Sequence, residues 1–171
     1  MFRFIVTILL TLFINTKCYS ANLSNRVNMK LSIGSLDMKT KKIEAALQVT
    51  IQNGWHIYYK TPGDLGLPTA FQWQDNTFKS IHVHWPKPLE HTDTVGDNTF
   101  HSNIYKDIVI FPISLVLKDN KQKELNTTLR IRYAVCKDVC IPREKVIILN
   151  QLLQDYQNQQ TMQLINFWKT K

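Results

Sequence analysis

The chain has 171 residues, of which 44% are hydrophobic and 20% charged, and its formal net charge is +8 at pH 7. This length fits about one domain, and the composition is that of a packed globular protein, which excludes disorder of the whole chain. Five glycines and six prolines exclude a collagen-like or low-complexity chain, and no apolar run reaches the roughly 18 residues of a membrane-spanning helix.

Residues 1–20 have the pattern of a secretory signal peptide. Arg3 precedes a short apolar segment at 4–14, and fairly small residues precede a predicted cut before Ala21. A lipidated Cys18 is the weaker alternative, because Lys17 directly precedes it. Removal of residues 1–20 leaves 151 residues, a net charge of +6 and one pair of cysteines, Cys136 and Cys140. We therefore predict a secreted protein in a compartment where a disulfide persists.

Alternation of apolar and polar residues dominates the rest of the chain and predicts half-buried strands. Ile108–Leu117 contains Pro112, which cannot donate to a ladder, so we predict a sheet edge or a bulge there. Lys118–Lys121 is typical of a hairpin turn. These features predict an all-β fold, an immunoglobulin-like antiparallel β-sandwich over residues 21–149. In chain order the predicted strands cover residues 27–33, 43–51, 55–59, 70–73, 81–85, 108–117, 125–133 and 145–149.

The last segment, residues 150–171, is predicted to be a short C-terminal helical tail. Its apolar residues share one helical face, which favours a docked or frayed helix over a membrane-surface or partner-binding helix. They are Leu153, Tyr156, Leu164, Phe167 and Trp168.

Positive charge is spread along the chain, in small clusters beside the strands. Lys39, Lys41 and Lys42 form one cluster, and residues 118–123 hold another. Solvated turns explain both clusters, and without a recognition motif or a basic helix we predict no nucleic-acid partner.

The sharpest chemical feature is the pair Cys136 and Cys140, four positions apart. A disulfide between them closes a loop so short that its entropic stabilisation is only about 2 kcal/mol, which favours a redox use. One thiolate of the pair would attack a partner disulfide, or a partner thiolate would attack one sulfur of the pair. A mixed disulfide forms, and the second cysteine resolves it. A structural disulfide and a metal-ligand role remain alternatives.

A metal site would need further ligands. His82 and His84 lie on one face of a predicted strand, and with the two cysteines they would form a zinc or copper(I) site. Two exposed histidines on a solvated face are the simpler interpretation, and we predict no cofactor and no resident metal.

Two parts of the chain, residues 54–88 and residues 133–142, carry an unusual pattern of Trp, Tyr, Pro, Gly and Cys. Together they resemble the N-terminal periplasmic domain of DsbD/ScsB-type thiol:disulfide interchange proteins, over roughly residues 25–150. The run of Trp, Tyr, Pro-Gly and Gly-Leu-Pro in the first part is unusual, so the combination is fairly specific. The segments that carry the resemblance are Gly54–Tyr59, Thr61–Thr69 with Trp73, Trp85–Pro88, Tyr133–Cys136 and Cys140–Pro142.

The resemblance implies a periplasmic module whose Cys136 and Cys140 form the redox pair at one end of the sandwich. It implies a covering loop within His91–Tyr105, with Phe100 or Tyr105 as shielding aromatics, and Tyr58 beside the pair. It implies thioredoxin-like or membrane-embedded relay proteins as partners and a place in cytochrome c biogenesis. Such a relay is an oxidoreductase in a loose sense.

Larger members of the family also have a transmembrane bundle and a thioredoxin-like domain, and this sequence contains neither. We therefore expect a free module with separate partners, and the electron donor and the direction of flow stay open. The alternatives are a non-catalytic β-sandwich binding domain with a structural disulfide, and a copper- or zinc-handling protein. Cys140 is our choice for the sulfur that is attacked.

Overall fold

The computed structural model describes residues 26–74, 76–118 and 123–171. The predicted signal peptide and most of the turn predicted at 118–121 lie outside these ranges. Within them, the chain forms strands and one helix. They are β1 Val27–Asp37, β2 Lys42–Ile51, β3 His56–Gly63, β4 Ala70–Trp73, β5 Phe78–Val83, β6 Leu89–Val95, β7 Asn98–Lys106, β8 Ile108–Leu117, β9 Glu124–Cys136, β10 Cys140–Leu152, β11 Tyr156–Gln157 and α1 Gln159–Trp168.

The strands form two antiparallel sheets. The five-stranded sheet has the order β11-β1-β2-β8-β5, and the six-stranded sheet has the order β10-β9-β3-β7-β6, with β4 paired to β9. The predicted immunoglobulin-like antiparallel β-sandwich is therefore confirmed. Strands β6 and β7 were not predicted, and β10 is much longer than the predicted strand at 145–149.

The core lies between the sheets and is built from the alternating residues of each strand. In β2 the inward set is Ile43, Ala45, Leu47, Val49 and Ile51, each at most 4% exposed. Phe111 of β8 is fully buried among them, with Phe71 and Tyr105 of the other sheet edge-on to its ring. Burial of each large aliphatic side chain contributes about 1.5–3 kcal/mol.

Pro112 is not at a sheet edge, because β8 lies between β2 and β5 and Pro112 pairs with Ala46 without a register shift. Its carbonyl oxygen accepts a hydrogen bond from the His84 N–H at 2.8 Å. In an antiparallel strand the N and C=O of one residue face the same neighbour, so the missing N–H also faces β5. The paired residues of β5 end at Val83, opposite Ile113, and the proline removes no hydrogen bond from the ladder of β8 with β2.

The C-terminal helix α1 covers the outer face of the five-stranded sheet. Asn158 caps it by accepting the Thr161 N–H. Ile165 is fully buried against Ala46 and Ile110. The predicted helical tail is correct for Gln159–Trp168, whereas Leu153 and Tyr156 lie before the helix, Tyr156 in β11. In the described part of the chain, no helix is long and apolar enough to cross a membrane.

Candidate functional site

The two cysteines form a disulfide at one end of the six-stranded sheet. Cys136 is the last residue of β9 and Cys140 the first of β10, and they face each other in register with their Cα atoms 4.1 Å apart. The connecting loop, Lys137–Val139, is exposed. Cys136 is only 1% exposed, whereas Cys140 is exposed. Cys140 is therefore the more accessible residue of the pair.

Tyr58 of β3 lies against the disulfide. Its hydroxyl oxygen is 3.7 Å from the sulfur of Cys140, and it is the donor because a disulfide sulfur carries no hydrogen. Burial raises the pKa of Tyr58, and the negative charge of Asp93 raises it further. The hydroxyl therefore keeps its proton at neutral pH and remains a hydrogen-bond donor.

His56 is a residue of this site that the sequence analysis missed. It pairs directly with Cys136 in the β3–β9 ladder, so the two side chains leave the same face of the sheet. Its ring lies 5.2 Å from that of Tyr58 and 5.4 Å from that of His91. In the sequence, only one feature pointed to His56 as a residue of the site. It lies two residues before Tyr58, in a segment that carries the family resemblance.

The environment of His56 keeps its imidazole neutral. The residue is 7% exposed, and its Nε2 atom has no hydrogen-bond partner within the described ranges. Burial lowers the pKa of His56 to about 4. The charges of His91 and Lys106 also lower this pKa, whereas the charge of Asp93 raises it. At neutral pH this side chain is therefore an uncharged, buried group next to Cys136.

The segment predicted as a covering loop is a β-hairpin of β6 and β7, which turns at Gly96 with φ +61°. Through His91 it contacts the ring of His56, and Asp93 acts electrostatically on both His56 and Tyr58. Phe100 is half-buried and pairs with Asp93. By strand alternation, Phe100 shares its face of the sheet with Ile104, which packs with Tyr58 and Cys136.

Tyr105 lies on the opposite face of the sheet from the disulfide. Its hydroxyl donates to the carbonyl oxygen of Pro86 at 2.6 Å, and its ring packs edge-on against Phe111 in the core. A shielding role for Tyr105 does not fit this position. The reason is the two-residue period of a strand, which turns Ile104 rather than Tyr105 toward Cys136.

The structure does not bring His82 and His84 to the cysteines. His82 lies in β5 at the edge of the five-stranded sheet and His84 follows it, whereas the cysteines belong to the other sheet. Across residues 26–74, 76–118 and 123–171, no group of three or more His, Cys, Asp or Glu side chains is placed to hold a metal ion.

Comparisons with known proteins agree with this geometry. The family model described as "Thiol:disulfide interchange protein DsbD, N-terminal" matches residues 26–152. The N-terminal periplasmic domain of ScsB from Proteus mirabilis is a structural neighbour with TM-score 0.68 and 23% identity, which shows a shared fold. That match covers 86% of this chain and 54% of the ScsB chain, so this chain spans about half of it.

A second neighbour is the DsbD n-terminal domain of Neisseria meningitidis in the reduced form. It has TM-score 0.42 and 12% identity, with 74% of this chain and 90% of that chain covered. No curated protein matches the chain in sequence.

Proposed function

The chain belongs to the family of DsbD N-terminal domains of thiol:disulfide interchange proteins, and from this premise we propose that it is a periplasmic thiol–disulfide exchange module. Cys136 and Cys140 would cycle between disulfide and dithiol. The observation that carries the proposal is the asymmetry of the pair, with Cys140 exposed and Cys136 buried against Tyr58 and Ile104. A structural disulfide needs no exposed cysteine, whereas an exchange reaction needs one that a partner can reach.

The exchange proceeds in two steps. A partner thiolate attacks the sulfur of Cys140, the Cys136–Cys140 bond breaks, and Cys136 leaves as a thiolate that takes up a proton. The partner's second thiolate then attacks the partner's first sulfur in the mixed disulfide. This forms a disulfide within the partner and releases Cys140 as a thiolate. The partner's dithiol has been oxidised to a disulfide, and two electrons have passed to this chain. The reverse sequence delivers them to an oxidised protein.

The surroundings of the pair serve this chemistry. The Tyr58 hydroxyl donates to the sulfur of Cys140 and stabilises the Cys140 thiolate that is released in the second step. The β6–β7 hairpin, with Phe100, acts as the cover that limits reaction with unrelated thiols. Partners are thioredoxin-like or membrane-embedded relay proteins of the periplasm, and a contribution to cytochrome c biogenesis belongs to the same proposal. No cofactor takes part in the steps above.

The test is the reduction potential of the disulfide in the mature chain, measured by glutathione and dithiothreitol titration with thiol trapping. Structural disulfides of secreted proteins lie below about −300 mV, and exchange disulfides lie higher. We expect a value above that limit. A value well below it would contradict the proposal and favour a binding domain with a structural disulfide.

A further inference from the structure

A groove of about 580 Å³ opens beside the disulfide, between the loop that precedes β4 and the first residues of β10. We call it the arginine groove. Its lining combines apolar residues with two arginines, and its main residues are Leu67, Pro68, Arg132, Tyr133, Pro142 and Arg143.

Both walls of the arginine groove are connected to the reactive sulfur. On one side, Pro142 follows Cys140 by two residues in β10, a distance of about 7 Å along the strand. On the other side, the hydroxyl of Thr69, the residue after Pro68, donates to the Tyr58 carbonyl oxygen at 2.6 Å. The Tyr58 hydroxyl in turn donates to the sulfur of Cys140 at 3.7 Å. A chain segment that occupies the groove is thereby held next to Cys140.

The charge of the arginine groove is positive. Arg132 is exposed, and Arg143 lies close enough to Tyr133 to oppose the rise in pKa that burial causes there. Among the residues described, neither arginine forms a salt bridge, whereas Glu144, the carboxylate of the lining, is paired with Arg130. Two guanidinium groups are therefore free to bind carboxylates, for which their forked geometry is well suited.

We propose that the arginine groove docks an acidic, extended segment of the exchange partner beside the partner's reacting cysteine. This inference rests on the proposed function and adds the chemistry by which the partner is selected. Carboxylates of the segment pair with Arg132 and Arg143, and its apolar atoms cover Leu67, which is half exposed. A basic segment is repelled at the same place, which gives discrimination between partners.

The test uses residues 21–171 with Cys136→Ser, in which Cys140 is the single thiol. Three matched peptides carry one cysteine, activated as the mixed disulfide with 5-thio-2-nitrobenzoate and followed by two Glu, two Gln or two Lys. Release of the yellow thiolate gives the second-order rate constant of each. We expect the Glu peptide to react at least about threefold faster than the Gln peptide at low ionic strength, and the Lys peptide more slowly. Salt should remove the difference.

The matched variants are Arg132→Gln with Arg143→Gln, and Lys79→Gln as control, since Lys79 lies in β5 of the other sheet. The double variant should lose the preference and the control should keep it. Equal rates for the three peptides, or an unchanged preference in the double variant, would overturn the arginine groove as a docking site. The reduction potential of the native disulfide is measured separately. Failure of the proposed function therefore appears there, and failure of the docking site appears in the peptide rates.

Discussion

Gly66 lies so close to the ring of Tyr58 that a Cβ atom on it would be 2.2 Å from two ring carbons. Its φ of +92° is also a conformation that L side chains rarely adopt. The loop before β4 therefore supports the ring from one side while the hydroxyl reaches Cys140 from the other. The placement of this donor depends on a glycine outside the cysteine motif.

Tyr58→Phe tests the donor. Without the hydroxyl, we expect the pKa of the Cys140 thiol in the reduced protein to rise by roughly half a unit or more, because a hydrogen bond to the thiolate is lost. Thiolate absorbance against pH measures it. Gly66→Ala, which displaces the ring, should act in the same direction. Tyr105→Phe removes a hydrogen bond on the other face and is the control; an equal shift there would contradict the prediction.

The two cysteines should differ in reactivity. In single-cysteine variants we expect Cys140 to react with an aromatic disulfide reagent at least about tenfold faster than Cys136, because Cys136 is 1% exposed. Stopped-flow absorbance of Cys136→Ser and Cys140→Ser gives the two rates directly. Equal rates, or a faster Cys136, would remove the asymmetry on which the proposed function is based.

Phe100→Ala tests the hairpin as a cover. If Phe100 shields the pair, its truncation should raise the rate of disulfide reduction by dithiothreitol several-fold. The half-buried position of Phe100 predicts a loss of unfolding free energy of no more than about 2 kcal/mol. Thr99→Ala, next to it on the other face of the strand, is the control. A rate unchanged in Phe100→Ala would show that the residue only packs.

His56 makes stability depend on pH. Its pKa is about 4 in the folded chain and ordinarily 6.5. Above 6.5 it is neutral in both states. Below 6.5 the unfolded chain binds the proton first, so the free energy of unfolding falls until about pH 4, by at most roughly 3 kcal/mol. The pKa of His56, and with it this pH range, depends on the groups that face its ring, which are His91, Lys106, Asp93 and Tyr58.

Urea unfolding across pH 3.5–7.5 measures the effect. His56→Gln should flatten the dependence between pH 6.5 and 4, and His101→Gln, an exposed histidine of β7, should leave it unchanged. An identical slope in His56→Gln and the parent chain would mean that His56 is not the group responsible.

The docked helix α1 depends on Ile165. Its side chain is fully buried, and Gly34 leaves room for it, since a Cβ there would be 2.7 Å from the Ile165 Cδ1 atom. Ile165→Ala should lower the free energy of unfolding by about 2–4 kcal/mol, measured with urea. Leu164→Ala, whose side chain is 42% exposed, should stay within about 0.5 kcal/mol. Comparable losses in both would contradict this packing.

Elements that bury one face were predictable from the sequence, and surface elements were not. β2 has an apolar residue at every second position because its inner face lies in the core. The β6–β7 hairpin has only a few buried positions, so its sequence carries no such alternation and was taken as a loop. The same absence of pattern concealed the long edge strand β10, most of which is exposed.

In the site, the sequence identified chemistry but not register. The cysteines were expected to act as a pair because they lie four positions apart, and Tyr58 was expected beside them only because of the family resemblance. His56 faces Cys136 across about eighty residues of chain, and only the pairing of β3 with β9 brings them together. Tyr105 and Ile104 are neighbours in sequence on opposite faces, so choosing between them required the register of β7 with β3.

The ladder of β9 and β10 continues without a register shift from Cys140 and Cys136 to Leu152 and Glu124. The backbone hydrogen bonds of this ladder therefore hold the two cysteines close together, and they do not depend on the sulfur–sulfur bond. They set the effective molarity of one thiol toward the other. In the exchange that we propose, opening that bond should therefore require little reorganisation of the main chain. The disulfide and dithiol forms should then have nearly the same backbone, and a partner would distinguish them by the chemistry of a single sulfur atom.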